Sequence, residues 1–141
     1  PYKGSGPMVT DLLGGQVQVM FDNAPNALPY IRNGKMRALA TTGAERSALT
    51  PEVPTVAQAG LPGYEVSVFY GFVVPAGTPQ PIIEKLNAQI NTILKQPDIR
   101  KAFMDSGVEP VGGSAQSFGR HLETQVKKWS SVVKTAGITV Q

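Results

Sequence analysis

An acid and an amide, Asp22 and Asn23, stand side by side directly after an alternating run of polar and apolar residues. A carboxylate in this position can accept a hydrogen bond from a ligand hydroxyl, an ammonium group or a water molecule, and an amide can donate one to an anion. The same residue types are common in plain turns and at helix starts, where they satisfy free backbone N–H groups. Taken alone, the pair is explained equally well by a ligand contact and by a structural cap.

Two further short segments have residue types suited to a binding cleft. Lys3 and Gly4 stand just before a predicted helix, so they form either a second turn of the same kind or an exposed end of the sequence. Tyr70 and Gly71 lie in an aromatic-rich extended run, where a tyrosine hydroxyl and an uncovered glycine backbone can line a cleft. The residues alone favour a simpler interpretation of this pair, a strand that carries core aromatics.

The elements that would position the first of these segments alternate between helix and strand. The apolar spacing predicts, in order, a helix over 7–13, a strand over 16–21, a helix ending near Asn33 and a strand over 36–41. Short connections between such elements are typical of an α/β sheet with parallel neighbours. The turn at Asp22 then lies at the carboxyl end of a strand, where ligands of open α/β sheets collect. Asn23 or Asn26 is the candidate N-cap of the helix that follows.

The rest of the sequence changes from a proline-rich middle to long helices. The predicted elements are one short helix over 55–59, an extended run over 64–74, a helix capped by Thr78, a short helix over 98–106, a possible strand over 108–112 and a helix from Ser114 to about Ala136. The second half of the chain is therefore predicted to be helix-rich.

Composition excludes several functional classes. The 141 residues carry a net charge of +3 without a basic cluster, so nucleic-acid binding is not predicted. The chain has no cysteine and a single histidine, His121, and its acidic residues are scattered, so no metal site is predicted. No apolar run approaches the ~20 residues of a membrane span. We identify no residue arrangement that suits a catalytic nucleophile and its base.

Four segments, in this order, resemble the tripartite tricarboxylate transporter substrate-binding receptors, often called the Bug receptors. They are "PYKGSGPMVTDLLGGQVQVMFDNAPNALPYIRNGKMRALATTGAERS", "PEVPTVAQAGLPGYEV", "VVPAGTPQPIIEKLNAQI" and "EPVGGSAQSF". The resemblance extends from Pro1 to the last predicted helix. Its motifs are specific because they occur together and at the expected spacing.

The resemblance implies an α/β fold of the type II periplasmic-binding-protein kind, in which two lobes are joined by crossing strands. A complete receptor is roughly twice as long as this chain, so the chain is expected to be the C-terminal half of one. Residues 1–68 would be the second part of lobe two. Residues 69–141 would be the crossing strand and the helix-rich C-terminal part of lobe one. A signal peptide would lie outside this chain.

The resemblance also implies a function and a set of binding residues. The protein would be a periplasmic, extracytoplasmic receptor that binds a small carboxylate and delivers it to membrane transporter subunits, without a cofactor and without catalysis. The ligand-binding residues carried over from the family motifs are Phe21, Asp22 and Asn23 in the second-lobe loop, Tyr2, Lys3 and Gly4 at the cleft edge, and Tyr70 and Gly71 beside the hinge.

Two alternatives remain open on the sequence alone. The chain could be a small α/β enzyme that acts on an anionic metabolite, in which case an Asp, Ser or Tyr would be needed for turnover. It could also be a fragment that binds no ligand and is stabilised by self-association, as a homodimer, because half of a receptor leaves apolar surface uncovered.

Overall fold

The computed structural model describes residues 2–138, and in that range the regular secondary structure consists of five α-helices. They are α1 (Ser5–Leu13), α2 (Ala24–Arg32), α3 (Gln80–Leu94), α4 (Pro97–Asp105) and α5 (Ala115–Ala136). A single isolated parallel bridge, between Thr41 and Thr55, is the β pairing found in this range. The described part of the chain is therefore largely helices and extended segments.

The chain divides into two compact units that are not contiguous in sequence. The first unit comprises Pro1–Phe69 and Pro97–Pro110, and the second comprises Tyr70–Gln96 and Val111–Gln141. The boundary expected from the sequence, between residues 68 and 69, is one residue from the first of these divisions. The segment 97–110 packs with the first unit although the sequence analysis grouped it with the C-terminal part. The assignment of either part to a receptor lobe stays a prediction.

Local sequence signals account for α1 and α2. Proline occupies the first turn of both helices, where its missing N–H group is not needed. Each helix buries one aliphatic side chain, Val9 in α1 and Leu28 in α2, which are 6% and 4% exposed. The helices predicted over residues 7–13 and up to Asn33 are confirmed, and Asn23 is the N-cap position of α2.

In the second unit, the predicted start and end of the last helix are confirmed. Ser114 Oγ accepts a hydrogen bond from the backbone N–H of Ser117 at 3.0 Å, and Gly137 ends α5 in the left-handed conformation. The prediction that Thr78 caps α3 is wrong. Its hydroxyl donates instead to the carbonyl oxygen of Pro75 at 2.8 Å, and Pro79 takes the N-cap position.

The strands predicted over residues 16–21 and 36–41 are extended but are not paired into a sheet. Exposure alternates along the second run: Met36 and Ala38 are half-buried, whereas Arg37 and Leu39 are exposed. Within residues 2–138, however, the backbone groups of 18–21 and 37–40 have no backbone hydrogen-bond partner. The period-two alternation in the sequence correctly predicted an extended conformation. A strand ladder also requires a neighbouring strand with which to exchange backbone hydrogen bonds.

Two shorter predicted elements are also absent. The helix predicted over 55–59 is reduced to a single turn, in which the Ala59 N–H donates to the Thr55 carbonyl oxygen at 2.9 Å. The strand predicted over 108–112 does not form. In the second segment, Pro110 has no backbone N–H to donate to a strand ladder.

Polar contacts fasten the inserted segment 97–110 to the first unit. The carboxylate of Glu109 accepts hydrogen bonds from the Ser47 hydroxyl and from the backbone N–H of Ala48, the latter at 3.0 Å. The guanidinium of Arg32 at the end of α2 donates to the carbonyl oxygen of Asp105 at 3.3 Å. The α4 segment is thus bonded both to α2 and to the loop at 47–48.

Gly71 in the second unit is in close contact with an aromatic ring. A Cβ atom added at this position would lie 2.2 Å from Cζ of Phe118, and real Cβ atoms do not approach other atoms so closely. The ring of Phe118, near the start of α5, therefore packs directly on the Gly71 backbone. The structure gives this glycine a packing role within the second unit.

We expect Gly71→Ala to destabilise the second unit, because the new methyl group must displace the Phe118 ring. Overpacking of this kind costs about 1–3 kcal/mol of unfolding free energy. Urea unfolding monitored by circular dichroism measures the loss, and the double variant Gly71→Ala/Phe118→Leu should recover part of it.

Gly119→Ala is the matched control, since a Cβ at this helical position meets nothing within 4 Å. It should raise the unfolding free energy by about 0.5–1 kcal/mol through helix propensity. Equal effects of the two alanine substitutions would contradict the packing role of Gly71.

Candidate functional site

The carboxylate of Asp22 joins the starts of α1 and α2 in the first unit. The Ser5 hydroxyl donates to Asp22 Oδ1 at 2.7 Å, and the backbone N–H of Asn23 donates to the same oxygen at 2.8 Å. The side-chain amide of Asn26 donates to Ser5 Oγ at 2.8 Å and to Asp22 Oδ1 at 3.2 Å. One carboxylate oxygen therefore holds the first residue of α1 and the first turn of α2 together.

This arrangement places a negative charge beside two helix N-termini. Each helix start carries partial positive charge and free N–H groups, and a nearby carboxylate stabilises it by about 0.3–1 kcal/mol. The residues at the two N-cap positions, Gly4 and Asn23, make no side-chain capping bond. Asp22 therefore supplies the anionic partner that neither N-cap residue provides.

The second oxygen of Asp22 has a different environment. Oδ2 is buried and accepts no hydrogen bond from any residue that the structure describes. Buried carboxylate oxygens are normally paired, because an unpaired one has lost its hydration without compensation. A water molecule or a ligand O–H or N–H group would satisfy it. The sequence analysis predicts that Asp22 binds the ligand, because its carboxylate can accept a hydrogen bond. This role stays a prediction.

The neighbours of Asp22 differ in exposure and bonding. Phe21 is 73% exposed, and the side chain of Asn23 is exposed at the N-cap of α2. The phenyl ring of Phe21 and the side-chain amide of Asn23 are therefore accessible. In the chain these two residues flank Asp22, whose carboxylate is bonded to other residues. Their predicted contacts with a ligand are compatible with this exposure and stay predictions.

The three predicted residues at the other segment lie at the start of α1. The Tyr2 hydroxyl donates to Asp11 Oδ2 at 2.8 Å, which directs its ring along α1. Lys3 is exposed. Gly4 has a φ of 144°, which L side chains rarely adopt, so glycine allows the sharp entry into α1 directly before Ser5.

The predicted binding residues are divided between the two units. Tyr2 to Gly4 and Phe21 to Asn23 belong to the first unit, where Ser5 bonds to Asp22 and so connects the two segments. Tyr70 and Gly71 belong to the second unit. Tyr70 is 69% exposed there, and Gly71 is covered by the Phe118 ring.

Sequence reasoning did not identify Ser5 and Asn26 as partners of Asp22. The sequence analysis names Asn26 only as an alternative N-cap and assigns no role to Ser5. The available signal was the spacing of Asp22 and Asn26, four residues apart across a helix start, which brings the two side chains together. The bond from Ser5 depends on how the start of α1 is placed beside the turn at Asp22, which no local pattern reveals.

The described residues include neither a metal-binding cluster nor a helix suited to cross a membrane. No group of three or more acidic, histidine or cysteine side chains in residues 2–138 is arranged to hold a metal ion. Among the helices of the same range, none combines the length and apolar character needed to span a bilayer.

Comparison with known proteins establishes the family of the chain. Residues 1–138 match the family described as the tripartite tricarboxylate transporter family receptor. The chain therefore belongs to this family of periplasmic solute-binding receptors, which are not enzymes. The resemblance seen in the sequence is confirmed, and the alternative of a small α/β enzyme is not supported.

Individual relatives agree with this assignment. BugT of Bordetella pertussis is 39% identical over 137 residues, which cover 97% of this chain and 42% of BugT. The structure of Rpa4515 of R. palustris with adipate matches with a TM-score of 0.83 and 40% identity, over 99% of this chain and 46% of that one. MatC from Rhodopseudomonas palustris with bound malate matches with a TM-score of 0.76 and 36% identity, over 94% and 46%.

These matches also confirm the fold class. The structure of the periplasmic binding protein BugD also matches, with a TM-score of 0.80 and 34% identity over 100% of this chain and 48% of that one. The chain spans less than half the length of each of these relatives. The fold is thus that of a part of a type II periplasmic-binding-protein-like receptor.

The hydrogen bond between Tyr2 and Asp11 has a measurable effect on ionisation. The bond to the Asp11 carboxylate raises the pKa of Tyr2 above its ordinary value of 10.0, and desolvation and the Asp11 charge act in the same direction. Asp11→Asn should therefore lower the Tyr2 pKa toward 10.0, because a neutral acceptor no longer opposes phenolate formation. Carbon NMR of the tyrosine ζ positions, followed from pH 8 upward, measures this change.

The raised pKa of Tyr2 also determines how the Tyr2–Asp11 bond changes the stability of the fold with pH. A raised pKa in the folded state means that the Tyr2–Asp11 bond stabilises the fold below the unfolded pKa and is lost as the pH rises through the folded one. Asp98→Asn, which removes an exposed carboxylate from α4, is the control and should leave the Tyr2 titration unchanged. A Tyr2 pKa that is the same in wild type and in Asp11→Asn would refute the assigned cause.

Proposed function

We propose that the chain is the C-terminal half of a periplasmic solute-binding receptor that binds a small carboxylate and delivers it to a membrane transporter of the tripartite tricarboxylate type. The observation that supports this function best is the turn at Asp22. There, a half-buried carboxylate, whose Oδ2 is buried and unpaired among the described residues, lies at the joined N-termini of α1 and α2. Membership of the receptor family supplies the class of ligand and the class of transporter.

The turn offers two kinds of contact to such a ligand. Free N–H groups in the first turns of α1 and α2 suit a carboxylate, since helix N-termini bind anions without a cationic side chain. Asp22 Oδ2 suits a donor such as a hydroxyl, an ammonium group or a bridging water. Two of the structural relatives were solved with carboxylates, adipate in one and malate in the other. Malate carries a hydroxyl group and adipate does not.

In the proposed receptor, residues 1–68 form the second part of lobe two and residues 69–141 the crossing strand and the C-terminal part of lobe one. Phe21, Asp22 and Asn23 would contact the ligand from lobe two, with Tyr2, Lys3 and Gly4 at the cleft edge. Tyr70 and Gly71 would lie beside the hinge. Closure of the lobes around the ligand would create the form that docks on the transporter.

The proposal is tested with a chimera in which residues 2–138 replace the matching segment of BugT, so that a full-length receptor is titrated. Isothermal titration with adipate, malate, succinate and citrate identifies the ligand. We expect Asp22→Asn to weaken malate binding at least tenfold, because a charged acceptor is lost, and to weaken adipate binding less.

Asp98→Asn in α4 is the matched control, since it removes the same charge from an exposed position. It should leave every affinity within twofold of the parent. Asp22→Asn should retain a folded chimera, as judged by its thermal transition. No heat with any carboxylate, or equal affinities for the two variants, would refute the proposed role of Asp22.

Self-association as a ligand-free homodimer is the competing outcome. It predicts that the 141-residue chain elutes as a dimer by size-exclusion chromatography with light scattering. It also predicts that the folded chimera remains silent in every titration.

A further inference from the structure

The end of α2 carries the one place in this chain where an asparagine directly precedes a glycine, at Asn33 and Gly34. The other asparagines are followed by alanine or threonine. The backbone nitrogen of the residue after an asparagine can attack the side-chain amide, and a side chain on that next residue hinders the approach. Glycine has no side chain. Asn33 is therefore the asparagine of this chain that is least hindered toward such an attack.

The surroundings of this residue pair are open. Asn33 and Gly34 are both exposed. A Cβ atom built at Gly34 would meet nothing within 4 Å apart from its neighbours in the chain, and Gly34 has a φ of 73°, which favours glycine. Water therefore reaches both residues, and the backbone between them has space in which to rearrange.

The side-chain amide of Asn33 is hydrogen-bonded at its oxygen and not at its nitrogen. The backbone N–H of Lys35 donates to Asn33 Oδ1 at 3.2 Å, whereas Nδ2 has no hydrogen-bond partner among the described residues. A donor on a carbonyl oxygen stabilises the negative charge that develops there when a nucleophile adds to the carbonyl carbon. The native contacts therefore favour addition at Cγ and leave Nδ2 free to depart.

One backbone hydrogen bond opposes the attack. The N–H of Gly34 donates to the carbonyl oxygen of Ile31 at 3.1 Å. Asn33 has a φ of −92° and a ψ of 9°, so ψ must also rotate before the Gly34 nitrogen faces the side chain. Both changes fall at the C-cap of a nine-residue helix, and helix ends open locally at a low cost in free energy. Opening of the last turn of α2 is therefore the step that precedes the attack.

We propose that Asn33 is a site of spontaneous deamidation, with Gly34 as the internal nucleophile and water as the co-reactant. The Gly34 nitrogen gives its proton to solvent and forms a bond to Cγ of Asn33. The Cγ–Nδ2 bond then breaks, and Nδ2 takes a proton from solvent and departs as ammonia, which leaves a five-membered succinimide ring. Water adds to either carbonyl carbon of the ring and opens it to an aspartate or an isoaspartate. No atom changes its oxidation state, so no oxidant or reductant is needed.

The product changes the end of α2 in two ways. Either form adds a negative charge at a helix C-terminus, where it is unfavourable, and lowers the net charge of the chain from +3 to +2. The isoaspartate also adds an atom to the backbone directly before Lys35 and Met36. The N–H groups of these two residues donate to the carbonyl oxygen of Tyr30 at 2.9 and 3.0 Å. An isoaspartate therefore weakens the last turn of α2.

The test incubates the folded 141-residue chain in a mildly alkaline buffer without any ligand, and peptide mapping by mass spectrometry follows each asparagine. We expect Asn33 to convert at a rate within tenfold of that in the free peptide YIRNGKM, residues 30–36, because the helix end opens readily. Methyl transfer by a protein isoaspartate methyltransferase identifies the isoaspartate product. Because no carboxylate is added, the result is independent of the function proposed above.

Asn23 is the internal control in the same sample. It is also an exposed residue at a cap position of α2, but it precedes an alanine. It should convert at least tenfold more slowly than Asn33, because the alanine methyl group hinders the attacking nitrogen.

Two substitutions separate the roles of the amide and of the glycine. Asn33→Gln keeps an amide but requires a larger ring, so ion-exchange chromatography should show at least tenfold less of the more acidic form than for the unsubstituted chain. Gly34→Ala places a methyl group beside the attacking nitrogen and should slow conversion to a similar extent. Circular dichroism reports whether the helices tolerate alanine at the positive φ of this position.

Three results would overturn the proposal: an unchanged Asn33 in the folded chain under conditions that convert the peptide, equal rates at Asn33 and Asn23, or an undiminished acidic form in Asn33→Gln. The first result would show that the bond from Gly34 to Ile31 protects the site. The peptide map uses the unsubstituted chain, so it decides the question even if a variant fails to fold.

Discussion

The position of the first two helices depends on one hydrogen-bonded carboxylate. Asp22 Oδ1 accepts from a side chain at the start of α1, from the backbone at the start of α2 and from a side chain in the first turn of α2. Because the bonds converge on one atom, a shift of α1 relative to α2 would break the bond between the Ser5 hydroxyl and Asp22 Oδ1. The predicted binding segments at both helix starts depend on this bond network.

The run 18–21 leads directly into Asp22, so the predicted ligand contacts begin at the end of an extended segment. Phe21 is 73% exposed, whereas the carboxylate of Asp22 is held by the starts of α1 and α2. An accessible apolar ring and a fixed carboxylate are therefore neighbours in the chain.

The sequence predicted the helices well because their signals are local. Pro7 and Pro25 in first turns, Ser114 as a cap and Gly137 as a stop each act within one turn of the chain. The strands were predicted less well, since period-two spacing determines an extended conformation but pairing depends on distant residues. The Asp22 turn was found from residue type. Its partner Asn26 was missed although its spacing from Asp22 is a local signal, and Ser5 was missed because its bond to Asp22 spans seventeen residues of the chain.

The insertion of residues 97–110 into the first unit affects the order in which the chain can fold as it is synthesised. Glu109 bonds to Ser47 and Ala48, yet it is made some sixty residues later and only after α3 has been completed. A nascent chain that has emerged only as far as Phe69 lacks this carboxylate. Its loop at 47–48 therefore cannot yet form the hydrogen bonds to Glu109. Domains usually fold as units from the N-terminus during translation. In this chain the bonds of Glu109 to the loop at 47–48 can therefore form only after the α3 helix of the second unit has been made.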